Sequence, residues 1–243
     1  MIDFPPQAES GINWLRTTPI AHRGLHNASL GIFENTLSAC RAAKRQGYSI
    51  EVDLQPSADC EPFVFHDYTL ERMTPRSGNI RDMLAREVIT TPVMDSEDKI
   101  PPLSELLNLI DGKVGIVLEL KGKHGKDEGF AAAVAEKLKD YDGYVAVMSF
   151  YHHILDDFRE HAPDILLGLT AEGDDILYDI HRTAAERNEV DFVSYELSNL
   201  DCQFVREFKE TGRPVISWTA RTKEDAAFSS KFADQPTFEG FLA

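Results

Sequence analysis

The chain has 243 residues, 42% of them hydrophobic and 27% charged, which excludes disorder, collagen-like sequence and a disulfide scaffold. Its length allows one large α/β unit or two smaller ones. Twenty-five basic residues against 41 acidic ones give a formal charge of −16; with no basic run to offset it, the expectation is no nucleic-acid and no membrane partner.

Apolar, β-branched runs alternate along the chain with helical patterns. Candidate strands end at Ala21, Asp53, Lys121, Phe150, Thr170, Glu196, Thr219 and Gly240. Helical periodicity falls at about 34–46, 103–111, 128–140, 151–161, 174–189, 200–211 and 222–232, with start signals at Ser104, Asp127 and Thr222. Strands regularly separated by helices imply a parallel sheet, and runs such as VGIVLEL suit strands covered on both faces. The expected fold is a (β/α)8 TIM barrel, one domain over residues 1–243. An open doubly wound sheet is the alternative, weakened by the missing glycine fingerprint after the first strand.

One segment breaks the alternation. EPFVFHD (61–67) is strand-like, yet only a turn near Pro56–Cys60 separates it from the second strand. A parallel crossover needs a dozen or more residues, so this is read as an antiparallel β-hairpin arm after strand 2. The arm should return His66 to the level of Glu51 and Asp53. Residues 68–102 are read as an irregular connection.

Cys40, Cys60 and Cys202 show no metal-like spacing and are read as reduced thiols. The segment MIDFPPQAES lacks a basic region followed by an apolar one, so a cytoplasmic location is expected.

Chemistry in a barrel sits at the carboxyl ends of its strands. Strand one places His22 and Arg23 there. Strand two places Glu51 and Asp53 at i, i+2 on one face, and Glu119 and Lys121 repeat that spacing. Three convergent carboxylates repel one another unless they share protons or bind a cation, and all-oxygen ligation suits Mg2+ or Ca2+. In so acidic a protein an anionic substrate needs such a local positive potential. Arg23 and Lys121 beside the ion would make an anion pocket, and His22 and His66 could act as general acid and base. Each motif alone has a bland reading: a solvated strand end for Glu-x-Asp, a helix cap for His66-Asp67. Their coincidence on one face favours a site for metal-assisted phosphoryl transfer.

The motifs AHRG (21–24), ENTLSA (34–39), IEVD (50–53), VFHDYTLER (64–72) and LELK (118–121) resemble, in order and spacing, those of the glycerophosphodiester phosphodiesterases. IPPLSELL (100–107), MSF (148–150) and SWT (217–219) extend the resemblance over nearly the whole chain. The resemblance implies a (β/α)8 barrel, one divalent cation, Mg2+ or Ca2+, and hydrolysis of a small-molecule glycerophosphodiester to glycerol 3-phosphate and an alcohol. It makes Glu51, Asp53 and Glu119 metal ligands, His22 and His66 the acid–base pair, and Arg23 and Lys121 phosphate contacts. Glu34 would orient the site or meet the metal or a glycerol hydroxyl, and Trp218 would form an apolar wall. The sequence departs from the family at Ala58-Asp59-Cys60, at Phe33, and at Glu239, where aspartate is usual. Lysophospholipid or sugar phosphodiesters, and a non-catalytic binding barrel, remain as alternatives. Of the other histidines, His26 and His124 are read as loop residues, and His152, His153, His161 and His181 as surface.

Overall fold

Eight parallel strands close into a ring in the computed structural model, which describes residues 11–243; the reading of the first ten residues lies outside that range. The ring runs β1 (Ile20–Ala21), β2 (Ser49–Pro56), β4 (Ile116–Leu120), β5 (Val145–Ser149), β6 (Leu166–Ala171), β7 (Phe192–Glu196), β8 (Val215–Ala220) and β9 (Gln235–Phe238). Closure comes from β1, whose Ile20 pairs in parallel with both Ser49 of β2 and Thr237 of β9. Strand β3 (Pro62–Val64) runs antiparallel on the end of β2, with Leu54 opposite Val64. The expected barrel and its hairpin arm are both present, and the open sheet is excluded.

The helices are α1 (Trp14–Thr17), α2 (Leu37–Gln46), α3 (Ala85–Val88), α4 (Leu103–Ile110), α5 (Phe130–Leu138), α6 (His152–His161), α7 (Tyr178–Arg187), α8 (Gln203–Glu210) and α9 (Lys223–Ser229). Their periodicity decides what they bury: α8 turns Phe204, Val205 and Phe208 onto the sheet, and α4 turns Leu103, Leu106, Leu107 and Ile110. Thr222 caps α9 in a box with Asp225, as its sequence signals. Two other start signals are corrected. Helix α4 begins at Leu103, before Ser104, with Pro102 fixing the entry. Gly129 takes the cap position of α5, because the Asp127 carboxylate is held elsewhere by a guanidinium.

Strand alternation divides the apolar residues into two layers. One face packs against the helices; the other points inward, where Ile20, Val117, Ala146, Met148, Phe192 and Ile216 fill the barrel. Trp14 and Leu15 plug its amino-terminal end. The plug needs Gly115, since a Cβ there would lie 2.3 Å from the Trp14 ring. Two residues beyond Val117 and Ile216 along the same inward rows stand Glu119 and Trp218, so the interior changes from apolar to charged toward the carboxyl end.

Residues 68–102 are more ordered than a bare connection. They carry the 3-10 turn Ile80–Asp82 and α3, and Leu70, Met73, Ile80, Val88, Val93 and Ile100 pack with Phe63 and Phe65 into a separate apolar cluster. This cluster holds the hairpin arm against the barrel rim. All three cysteines are free; burial pushes the Cys40 thiol up to about 12, leaving it inert. Among the described residues no helix is long and apolar enough to cross a membrane.

Candidate active site

The first βα turn carries two non-glycine residues in the left-handed region, Arg23 at φ 53° and Asn35 at φ 56°. Such backbone persists where surrounding bonds over-determine it. The Arg23 amide donates to Glu51 Oε2 at 3.0 Å, and the Asn35 amide donates to the Arg23 carbonyl at 3.0 Å. Asn35 then clamps Asp53: its Nδ2 donates to Oδ2 at 2.8 Å while its Oδ1 accepts from the Asp53 amide. Gly24 lets the turn touch α2, where a Cβ would meet Ala39 at 2.8 Å.

Glu51, Asp53 and Glu119 converge as the strand spacing requires, with one oxygen from each within 4.8 Å of the others. All three are buried, Glu51 and Asp53 to 1% exposure. The Lys121 ammonium bonds Asp53 Oδ1 at 2.8 Å and also Glu119 Oε1, and Arg23 pairs with Asp53 Oδ2 at 3.2 Å. Burial raises the Asp53 carboxyl, but Lys121 and Arg23 outweigh it and hold the group well below the usual range. Burial, with Asp53 and Glu119 beside it, pushes Glu51 well above its ordinary value. Glu51 Oε1 is buried without a hydrogen-bond partner. With all three ionised, the carboxylates exceed the two cations by one negative charge, and a hard divalent cation would reverse this to one positive charge. An orphaned carboxylate oxygen inside an all-oxygen set fits such an ion.

Each of the two histidines is pinned through Nδ1. His22 donates to Glu239 Oε2 at 2.5 Å, which leaves Nε2 turned to the carboxylates, 3.9 Å from Glu51 Oε2. His66 donates to Asp67 Oδ1 at 2.6 Å. The hairpin return places it, because the Phe65 amide bonds the Asp53 carbonyl at 2.9 Å. Arg72 then grips Asp67 Oδ2 at 2.6 Å and both oxygens of Glu34, at 2.7 and 3.0 Å. Glu34 also accepts from Arg23 at 2.7 Å. Its carboxylate is therefore taken up by two guanidiniums and stands outside the acidic cluster.

A cleft of about 550 Å³ opens beside this centre, bounded by His66, Glu119, Lys121, Phe150, Tyr151 and Glu172. Trp218 meets Phe150 edge to face at 5.5 Å, with its indole N–H on the Ser194 carbonyl. Tyr195, in contrast, is fully buried and bonds the Gly173 carbonyl, so it packs the core.

Sequence reasoning missed Glu239 as a partner of His22. The available signal was a charged residue two positions beyond Thr237 on the inward row of the last strand, but only ring closure sets that row beside β1. The bond from His22, helped by His26 and Arg221, holds the Glu239 carboxyl far below the usual carboxylate range. Of the histidines read as surface, His181 is corrected, while His153 stays partly exposed and gains a carboxylate partner. His181 is buried against Tyr195 and Phe204 with Nε2 on the Glu172 carbonyl, and His153 bonds Asp127 Oδ2 at 2.8 Å.

The profile of the glycerophosphoryl diester phosphodiesterase family matches residues 22–233. A glycerophosphodiester phosphodiesterase of Caldanaerobacter subterraneus subsp. tengcongensis is 28% identical over 225 residues, covering 87% of this chain and 88% of that one. Among solved structures, an Oleispira antarctica phosphodiesterase in complex with the product sn-glycerol-3-phosphate superposes with a TM-score of 0.81 at 26% identity, covering 91% of this chain and 92% of that one. A Thermotoga maritima glycerophosphodiester phosphodiesterase shares the fold at a TM-score of 0.74 and 22% identity, over 91% of this chain and 93% of that one. The chain thus belongs to the glycerophosphoryl diester phosphodiesterase family, and is a phosphoric diester hydrolase of the (β/α)8 fold.

Proposed function

We propose that the protein hydrolyses glycerophosphodiesters to glycerol 3-phosphate and an alcohol, with one divalent cation bound by Glu51, Asp53 and Glu119 and with His22 and His66 moving the protons. The observation that carries this reading is a buried three-carboxylate cluster flanked by two imidazoles, each held in one tautomer by its own carboxylate. The relative from Oleispira antarctica, solved with sn-glycerol-3-phosphate, supports the product.

When bound, the cation, Mg2+ or Ca2+, supplies positive charge to a phosphate oxygen and lowers the pKa of a nearby hydroxyl. The chain's residues do the rest. Arg23 and Lys121 stabilise charge on the equatorial phosphate oxygens. One imidazole, through Nε2, takes the proton of the glycerol hydroxyl beside the phosphate, whose oxygen attacks phosphorus in line. The other gives its proton to the departing alcohol oxygen, and the roles exchange when water opens the cyclic phosphate. Trp218 and Phe150 form an apolar wall that limits water beside the reacting groups. Turnover is read as glycerol 3-phosphate released from glycerophosphocholine; a folded protein releasing none with either cation removes this reading.

Glu239 follows as a positioning residue for His22. Glu239→Gln keeps the volume but no longer favours the Nδ1–H tautomer. The expected result is a fall in kcat of about 10- to 100-fold, part of what general acid–base catalysis contributes, with KM within about twofold. Unchanged kcat in the folded variant would contradict the role.

A further inference from the structure

Arg81 is a buried cation that the chemistry above does not use. It stands in the 3-10 turn of the 68–102 segment, its side chain 4% exposed. Its guanidinium reaches four acceptors on three different stretches of chain. Nε donates to Gln55 Oε1 at 2.8 Å; Nη1 donates to Asp127 Oδ1 at 2.5 Å and to the Lys126 carbonyl at 3.2 Å; Nη2 donates to the Lys121 carbonyl. Gln55, fully buried at the end of β2, passes the connection on, since its Nε2 donates to the His66 carbonyl at 3.1 Å. Asp127 ties down the other side, accepting from the Lys123 amide at 2.6 Å and from His153 at 2.8 Å.

From this geometry we infer that Gln55 and Arg81 form a brace that positions His66 and Lys121 together. One planar fork fixes the backbone carbonyl of Lys121 directly and that of His66 through a single side chain, so the spacing of the proposed proton carrier and the proposed phosphate contact is set by rigid, desolvated bonds. The choice of arginine follows: a lysine ammonium donates from one point and cannot span Gln55, Lys121 and Asp127 at once. Burial makes the hub costly to leave half-satisfied, which favours a single arrangement of the two loops. The inference rests on the roles proposed for His66 and Lys121, and it makes Gln55 and Arg81 positioning residues.

Gln55→Glu is the discriminating variant. It keeps an oxygen for Arg81 and adds a compatible charge, but it removes the N–H that holds the His66 carbonyl. With glycerophosphocholine and saturating Mg2+, the expected result is a folded variant with a lowered thermal midpoint, kcat lower by about tenfold, and KM within about twofold, as small misplacement of a reacting group predicts. Arg81→Lys, which keeps a cation for Asp127, is expected to lower kcat and also raise KM, because the Lys121 carbonyl is released; it decides the matter should Gln55→Glu not fold. Folded variants whose kcat stays within twofold of the parent overturn the brace. Loss of turnover in His66→Ala alongside unchanged kcat in both brace variants would leave the proposed chemistry standing and remove the brace alone.

Discussion

His66→Ala is expected to lower kcat by about 10²- to 10⁴-fold, the usual contribution of a positioned acid or base, without unfolding the protein. The fold should survive because the imidazole is 32% exposed at the cleft and its removal leaves no closed apolar cavity. Its partners also stay satisfied, for Asp67 keeps two bonds from Arg72, at 2.6 and 3.0 Å. Steady-state kinetics with a thermal melt on the same sample checks both halves. A variant that melts like the parent and turns over at its rate would remove His66 from the chemistry, and with it the hairpin arm's role in delivering a proton carrier to the rim.

Glu51→Gln should move stability and cation response in opposite directions. In chelated buffer at pH 7 the variant is expected to be the more stable protein, since it removes a buried acidic group facing Asp53 and Glu119 while its amide oxygen still accepts from the Arg23 amide. The sign follows from linkage. Burial and the two neighbouring carboxylates raise the folded-state value of Glu51 above the ordinary 4.5. The native state therefore holds a proton that the unfolded state releases, and the parent loses stability as pH rises above that ordinary value toward the folded one. The advantage of the variant should grow over the same window and vanish below it. Added Mg2+ or Ca2+ should raise the melting temperature of the parent but not of the variant, whose affinity falls by on the order of 10²-fold or more. Equal stabilisation of both proteins by the cation would place the ion elsewhere.

Much of this site was legible because its devices are local. The i, i+2 spacing of Glu51 with Asp53 and of Glu119 with Lys121 fixes a shared face in any strand, and the short turn before EPFVFHD forces an antiparallel return that brings His66 home. The barrel itself could be read from the alternation of strands and helices. What escaped depends on closure and on loop packing. Glu239 reaches His22 only because the last strand pairs with the first, across a separation of 217 residues. Asp127 carries an ordinary helix-start signal, and nothing local reveals that a guanidinium 46 residues away claims it. His181 sits at a helical position that reads as polar surface, but α7 rolls it under the β6–α7 connection onto Tyr195 and Phe204. Residues 68–102 look irregular because their apolar residues follow neither helical nor strand period; they pack on the hairpin arm instead.

Cation-dependent hydrolysis is tested by glycerol 3-phosphate release from glycerophosphocholine by protein stripped with EDTA and then titrated with Mg2+ or Ca2+, for the parent and for Glu119→Gln. The expected result is no release from the stripped parent, full recovery at about one cation per chain, and little recovery by the variant. Release that persists in EDTA, or that returns equally in Glu119→Gln, would contradict it.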